Sequence, residues 1–174
     1  MPNSTAKKSK ISVLLGGRIG TVLLVLVVGQ LLFIFSNSHK NAAESTEQSS
    51  FFVRLYIECI EGKSCDEVSN EHIDTVTHYV RKTAHFTEYA VLGILTALYA
   101  RIRTSRYVRA AVLSAAFGLA TASLDEFSQS FSEGRANQLS DVLLDTAGGL
   151  FGTVSVLCLS AVVLSILQKR RHNT

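Results

Sequence analysis

The residues of this sequence that could do chemistry are polar side chains spaced one helical turn apart within apolar segments. The candidate set comprises Lys82, His85, Glu88, Tyr89, Asp125, Glu126, Gln129, Arg135, Asp141 and Asp145. His85 lies three residues before Glu88, and Asp141 lies four residues before Asp145, so each pair shares one face of a helix. A histidine among carboxylates, with lysine and arginine nearby, could bind a charged ligand or transfer a proton.

Four apolar segments are long enough to carry these residues as membrane-spanning helices. They are residues 18–36, 83–100, 107–124 and 142–167. A membrane-spanning helix needs about 20 largely apolar residues, and the single proline, Pro2, interrupts none of the segments. The chain is 47% hydrophobic and 18% charged, a balance typical of a membrane protein. We therefore predict an all-α, polytopic membrane protein with about four transmembrane helices.

The positions of lysine and arginine clusters predict the orientation of these helices across the membrane. Positive residues collect before the first helix, between the second and third, and after the fourth, which places both termini in the cytoplasm. The predicted order is a basic N-terminus over residues 1–17, a helix over 18–36, an extracytoplasmic segment over 37–82, a three-helix core over 83–167 and a basic tail over 168–174. A cleaved secretory signal is the alternative for the first helix, although its apolar run exceeds the usual length of about 7 to 15 residues.

The extracytoplasmic segment is predicted to carry two short amphipathic helices on the outer surface. The first has an apolar face made of Phe51, Phe52, Leu55, Tyr56 and Ile60. The second covers residues 70–80, where apolar residues again recur at helical spacing. Cys59 and Cys65 lie between them and could form a disulfide in an oxidising compartment, with two free thiols as the alternative.

The predicted topology brings the polar ends of the last three helices together at the outer side. Asp145 lies one turn deeper than Asp141, about 6 Å along the helix. A carboxylate within the hydrocarbon costs about 2.5 to 3.5 kcal/mol, so such residues face a bundle interior and have partners. Gly148 and Gly152 form a stripe of small residues that lets helix backbones approach. We therefore predict an outward-facing polar cup.

At these residues the sequence resembles the VanZ-like family of bacterial membrane proteins. The resemblance rests on "KTAHFTEY", "DEFSQ", "GR" and "DVLLDTAGG", in that order over residues 81–152, with "FSNS" ending the first helix. Glu133 stands where family members often carry proline. The resemblance implies a protein of the bacterial cytoplasmic membrane and a role in low-level resistance to the glycopeptide teicoplanin, and it supplies no molecular mechanism.

Three functions are open on this sequence. In the favoured one, the cup binds a lipid headgroup, a lipid-linked envelope precursor or a lipoglycopeptide, so membrane lipids are the expected partners. In the second, His85 and a carboxylate act as acid and base on an envelope lipid, although no nucleophile motif or phosphate-binding glycine loop supports an enzyme. In the third, the charges only hold the helices together and a protein partner docks on the outer segment. No cofactor, metal site or nucleic-acid partner is predicted.

Overall fold

The computed structural model describes residues 4–40, 42–129 and 138–172, and the regular structure within them is entirely helical. The long helices are α1 (Ser4–Ser38), α2 (Ala42–Tyr56), α3 (Asn70–Arg103), α4 (Tyr107–Gln129) and α5 (Leu139–His172). A π-helical turn, Ile57–Glu61, and a 3₁₀ turn, Cys65–Glu67, connect α2 to α3. The prediction of an all-α fold is confirmed for the described part of the chain.

Helix α3 is the central helix of an up-and-down bundle and packs against α1, α4 and α5. Gln30 donates a hydrogen bond to the backbone carbonyl of Glu88, whereas Gly20 lies near Arg103, so α1 runs antiparallel to α3. Helix α4 is also antiparallel to α3, and α5 is parallel to it. This arrangement places the end of α4 and the start of α5 at the same end of the bundle.

Three helical segments in the described ranges have the length and composition to cross a membrane, which corrects the prediction of four. They are Gly17–Ser38, Tyr107–Gln129 and Leu139–Arg170, and they indicate a multi-pass membrane protein. The second predicted segment, residues 83–100, is the one not among them, and it lies within α3. Its apolar character is reduced by polar residues such as His85 and Glu88. Because three other helices surround α3, these side chains face protein, and the helix does not need to be apolar on all sides.

The described part of residues 37–82 differs from the prediction of two short helices. Helix α2 is the first of them, but residues 70–80 are the opening turns of the long helix α3. Ser69 caps α3 by accepting a hydrogen bond from the backbone N–H of His72. Val53 and Ile57 are buried against Val76, which fixes α2 to the start of α3. The predicted apolar face of α2 lies on the opposite, exposed side of this contact.

The candidate disulfide between Cys59 and Cys65 is not formed, and all three cysteines of the chain are free thiols. Cys59 is exposed on the π-helical turn. Cys65 is half-buried against the cluster of Val53, Ile57 and Val76.

Helices α3 and α5 approach each other more closely than side chains larger than glycine allow. A Cβ atom added to Gly148 would overlap the backbone carbonyl of Phe86, and one added to Gly152 would overlap the carbonyl of Ala90. Small residues at a membrane helix interface permit such backbone contact, and dispersion forces then stabilise the pair. The glycine stripe therefore sets the spacing of α3 and α5.

A layer of buried hydroxyl groups crosses the bundle next to these glycines. The Ser114 hydroxyl of α4 lies 2.6 Å from the Thr96 hydroxyl of α3 and 2.8 Å from the Thr153 hydroxyl of α5. Ser114 and Thr153 also lie within hydrogen-bonding distance of the backbone carbonyl of Gly93. These bonds connect three helices in an interior where unpaired polar groups are costly.

Candidate functional site

Most of the predicted polar residues converge at one end of the bundle. We call this set the polar cluster: Lys82, His85, Glu88, Tyr89, Asp125, Glu126, Gln129, Asp141 and Asp145. Helix α3 supplies the first four, the last two turns of α4 supply the next three, and the first two turns of α5 supply the last two. Arg135, together with Glu133 and Gly134, lies outside the described residues.

Asp125 is the most buried charged residue of the polar cluster, with 0% of its surface exposed. Its Oδ2 atom accepts one hydrogen bond of 2.8 Å from the Ser38 hydroxyl and another of 3.1 Å from the Gln129 side chain. Both donors act on the same oxygen, and Ser38 belongs to α1. The contact therefore joins the end of α1 to the end of α4 through a carboxylate.

Helix α1 also supplies amide side chains that the predicted site did not include. Asn37 Nδ2 donates a 2.8 Å hydrogen bond to Oε1 of Glu88, and Gln30 Nε2 donates a 3.0 Å bond to the Glu88 carbonyl. Lys40 Nζ in turn lies 3.0 Å from Oδ1 of Asn37. The available sequence signals were Gln30 as the strongly polar residue of the first span and the polar "FSNS" at its end.

Two further contacts connect α5 to its neighbours. Lys82 of α3 forms an ion pair with Asp141 in the first turn of α5, and both side chains are partly exposed. The backbone N–H of Gln138, just before α5, donates to Oε1 of Glu126 at the end of α4. The Asp141 carboxylate therefore links α5 to α3. Glu126 instead orients the connection between α4 and α5.

The deepest part of the polar cluster brings one histidine close to two aspartates. One nitrogen of His85 and one carboxylate oxygen each from Asp125 and Asp145 lie within 4.8 Å of one another. Asp145 is only 3% exposed. A cavity of about 10 Å³ adjoins two of them, His85 and Asp145, and its other lining residues are Lys82, Gln129, Asp141 and Leu144. Since the three residues come from three helices, their spacing in the sequence gave no metal-ligand pattern.

The comparison with protein families agrees with this architecture. The family model described as VanZ/LLP1 matches residues 21–162, which is most of the chain. The chain belongs to the VanZ/LLP1 family. The resemblance seen in residues 81–152 is thereby confirmed, and the match also includes the outer segment that those motifs did not cover. No curated protein and no solved structure matches the chain.

The electrostatics of this VanZ/LLP1 family member are dominated by carboxylates. Among the described residues of the polar cluster, Lys82 is the one fixed cation, and it is paired with Asp141. Oδ1 of Asp125 and Oδ1 of Asp145 are buried and receive no hydrogen bond from the described residues. Buried carboxylate oxygens are normally satisfied by donors or cations. The cluster can therefore accept hydrogen bonds from a ligand or bind a cation.

Replacing Ser38 with alanine tests the contact between α1 and Asp125. We expect the free energy of unfolding to fall by about 1.5 to 3 kcal/mol, because a hydrogen bond to a buried charged group is lost. Thermal unfolding in detergent measures this change. Ser123→Ala is the matched control, since the exposed Ser123 hydroxyl bonds only to the Leu119 carbonyl of its own helix. Equal unfolding temperatures for the two variants would show that the Ser38 bond contributes little.

Proposed function

We propose that this VanZ/LLP1 family member binds the polar headgroup of a membrane lipid, or the polar part of a lipid-linked envelope ligand, at the polar cluster. The observation that carries the proposal is the pair of buried carboxylate oxygens, on Asp125 and Asp145, that no described residue donates to. A cluster that served only to hold helices together is expected to satisfy its buried acceptors, because unsatisfied ones weaken the fold. An incoming ligand can supply the donors.

The charges around the cavity indicate which headgroup suits it. Asp141 and Asp145 line the cavity and attract a positively charged group, while Lys82 on the same wall attracts an anionic one. A zwitterionic headgroup, such as that of phosphatidylethanolamine, carries both charges a few bonds apart. Its ammonium group would lie over Asp141, the partly exposed carboxylate, with Asp145 buried beneath it, and its phosphate would lie against Lys82. The headgroup would remain outside the cavity, whose volume is only about 10 Å³. Membrane lipids are thus the proposed partners, and no covalent change to the lipid is required.

The polar cluster is proposed to face the outside of the bacterial cytoplasmic membrane. The opposite end of the bundle carries positive residues at the end of α3, at the start of α4 and at the end of α5: Arg101, Arg103, Arg106, Arg109, Lys169 and Arg170. Positive residues in short flanking segments favour the cytoplasmic side. An outward-facing headgroup site is where a protein could alter how teicoplanin meets the envelope, so we extend the proposal to low-level glycopeptide resistance.

Lipid binding by purified variants tests this function. The protein is placed in nanodiscs that contain phosphatidylglycerol with or without phosphatidylethanolamine, and bound lipid is measured by native mass spectrometry after release into detergent. We expect selective retention of phosphatidylethanolamine by the wild type and at least a tenfold loss in Lys82→Ala and Asp145→Asn. Asp66→Asn, an exposed acid of the outer segment, is the matched control. Equal retention of both lipids, or normal retention by both cluster variants, would contradict the proposal.

The proposed role in resistance is tested with the same variants in cells. Teicoplanin susceptibility is compared in cells that lack the protein and are complemented with wild type, Lys82→Ala, Asp145→Asn or Asp66→Asn, with membrane abundance checked for each. We expect wild type and Asp66→Asn to protect, and the two cluster variants to fail at equal abundance. Protection by all four proteins would show that resistance does not depend on the polar cluster. No protection by any would restrict the proposal to lipid binding.

A further inference from the structure

We propose that His85, Asp125 and Asp145 form a binding site for a divalent transition-metal ion of the Zn²⁺ or Mn²⁺ type. The site lies at the inner end of the polar cluster, where α3, α4 and α5 meet. The inference goes beyond the lipid-binding proposal and does not depend on it, because a metal site can be measured in protein that carries no headgroup ligand.

The geometry brings three potential ligand atoms close together. The His85 nitrogen and the two carboxylate oxygens lie within 4.8 Å of one another. Ligand atoms around a single zinc ion, bound at about 2.0 to 2.2 Å, lie roughly 3 to 4 Å apart. Small side-chain rotations would close the difference. The ion pair of Lys82 with Asp141 and the glycine contacts hold α3 to α5, and the Ser114 hydroxyl bonds hold α4 to both.

A second, independent observation is that two buried carboxylates each have an oxygen without a hydrogen-bond donor among the described residues. Asp145 is 3% exposed and Asp125 is 0% exposed, yet Oδ1 of each receives no hydrogen bond from the described residues. On Asp125, Ser38 and Gln129 both donate to Oδ2, which leaves Oδ1 available and fixes the orientation of the carboxylate. Donors that orient a ligating carboxylate in this way are typical of metal sites.

The adjoining cavity gives the ion room for one more ligand. Its volume of about 10 Å³ is close to the minimum that holds one water molecule, and His85 and Asp145 line it. A metal held by three protein ligands with a fourth position for water or another small ligand is the usual form of an open site. The cavity therefore offers space for an additional ligand beside His85 and Asp145.

The ligand types select the class of metal. Mg²⁺ and Ca²⁺ prefer oxygen ligands, whereas an imidazole with carboxylates suits Zn²⁺, Mn²⁺ or Fe²⁺. Charge favours a divalent cation of either kind, since two aspartates at 0% and 3% exposure would bring negative charge into the bundle when ionised. A divalent cation would offset that charge, whose burial without a partner is unfavourable. We choose Zn²⁺ and Mn²⁺ as the probes.

The test is metal binding by the purified full-length protein in detergent, after removal of metals with a chelator. Thiolates bind zinc strongly, so all variants carry Cys59→Ala, Cys65→Ala and Cys158→Ala. We expect isothermal titration calorimetry to detect one Zn²⁺ or Mn²⁺ per chain. His85→Ala, Asp125→Asn and Asp145→Asn should each weaken that affinity at least tenfold. Asp66→Asn is the matched control and should bind as the parent protein does, and Mg²⁺ should bind at least tenfold more weakly than the better of the two probes.

Thermal unfolding is a second measurement, and it does not require the metal-site variants to fold well. Saturating Zn²⁺ or Mn²⁺ should raise the thermal unfolding temperature of the parent protein and of Asp66→Asn, because a ligand that binds the folded state stabilises it. Absence of binding and of any thermal shift in the parent protein would overturn the proposal. Binding that persists in His85→Ala and Asp145→Asn would also overturn it, by placing the metal elsewhere. A site that binds metal but fails the lipid experiment would leave this inference intact and remove only the lipid function.

Discussion

Gly152→Ala will lower the stability of the bundle without touching any charged residue. A Cβ atom at this position would overlap the backbone carbonyl of Ala90, and neither backbone can move alone because each belongs to a long helix. Overpacking of this kind costs about 1 to 3 kcal/mol and occasionally more. For a chain of this size, each kcal/mol corresponds to a shift of about 2 to 4 °C. We expect the thermal unfolding temperature in detergent to fall by roughly 5 to 10 °C.

The neighbouring hydroxyl layer increases this effect. Thr153 follows Gly152, and its hydroxyl lies 2.8 Å from that of Ser114 and 3.3 Å from the Gly93 carbonyl. Separation of α3 and α5 by the added methyl group would lengthen the contact to Gly93. A buried hydroxyl that loses its partner destabilises the fold further.

Gly118→Ala is the matched control for this substitution. Gly118 is also a helical glycine inside the bundle, on α4, but a Cβ atom there would meet nothing within 4 Å. Alanine is the better helix former by about 1 kcal/mol, so this variant should unfold at the wild-type temperature or slightly above it. If Gly118→Ala and Gly152→Ala unfold at the same temperature, then the α3–α5 contact is not as close as the structure indicates.

The helical fold and the general position of the site could be predicted from the sequence because both depend on local patterns. Long apolar segments without internal proline indicate helices, and residues spaced by three or four share a face regardless of the partner helices. Antiparallel neighbours then bring the end of α4 and the start of α5 to one end of the bundle. Asp125, Glu126, Asp141 and Asp145 consequently converge as expected.

The contacts between distant segments could not be predicted in the same way. The bond from Ser38 to Asp125 joins residues 87 positions apart, and it depends on the rotation of α1 about its own axis. Serine at the end of an apolar helix is compatible with many environments. The proximity of His85 to Asp125 and Asp145 likewise depends on how three helices rotate against one another, which periodicity on each helix leaves undetermined.

The predicted number of membrane-spanning helices was wrong for a related reason: it too depends on contacts between helices. The apolar composition required of a membrane-spanning helix applies to a helix surrounded by lipid, and α3 is too polar to meet it. The segment 83–100 is only just long enough to cross a membrane, and His85 and Glu88 lie in its opening turns. The polar residues of its first half are accommodated by neighbouring helices, as shown by the hydrogen bond from Asn37 to Glu88 and the ion pair of Lys82 with Asp141. Protein contacts therefore account for polarity that lipid would not tolerate.

Tyr89→Ala will be the most destabilising substitution in the core beneath the polar cluster. Tyr89 is the largest of the fully buried side chains, with 0% exposure, and it packs with Val27 and Ile34 of α1, Leu92 of α3 and Ala122 of α4. Removal of a buried aromatic ring costs about 3 to 5 kcal/mol, because the lost contacts are only partly replaced as the cavity closes. At about 2 to 4 °C per kcal/mol, the unfolding temperature should fall by roughly 10 °C or more.

Two further variants show whether the loss of stability comes from the ring, from helix propensity or from the hydroxyl group. Tyr79→Ala removes the same side chain from the same helix at a position that is 66% exposed, and it should change the unfolding temperature little. Tyr89→Phe keeps the ring and removes only the buried hydroxyl, which forms no hydrogen bond with the described residues, so it should retain most of the stability. Wild-type stability in Tyr89→Ala would mean that α1 does not pack against α3 and α4 through this residue. Because α1 carries Ser38 and Asn37, such a result would also remove the physical basis for the contribution of α1 to the polar cluster.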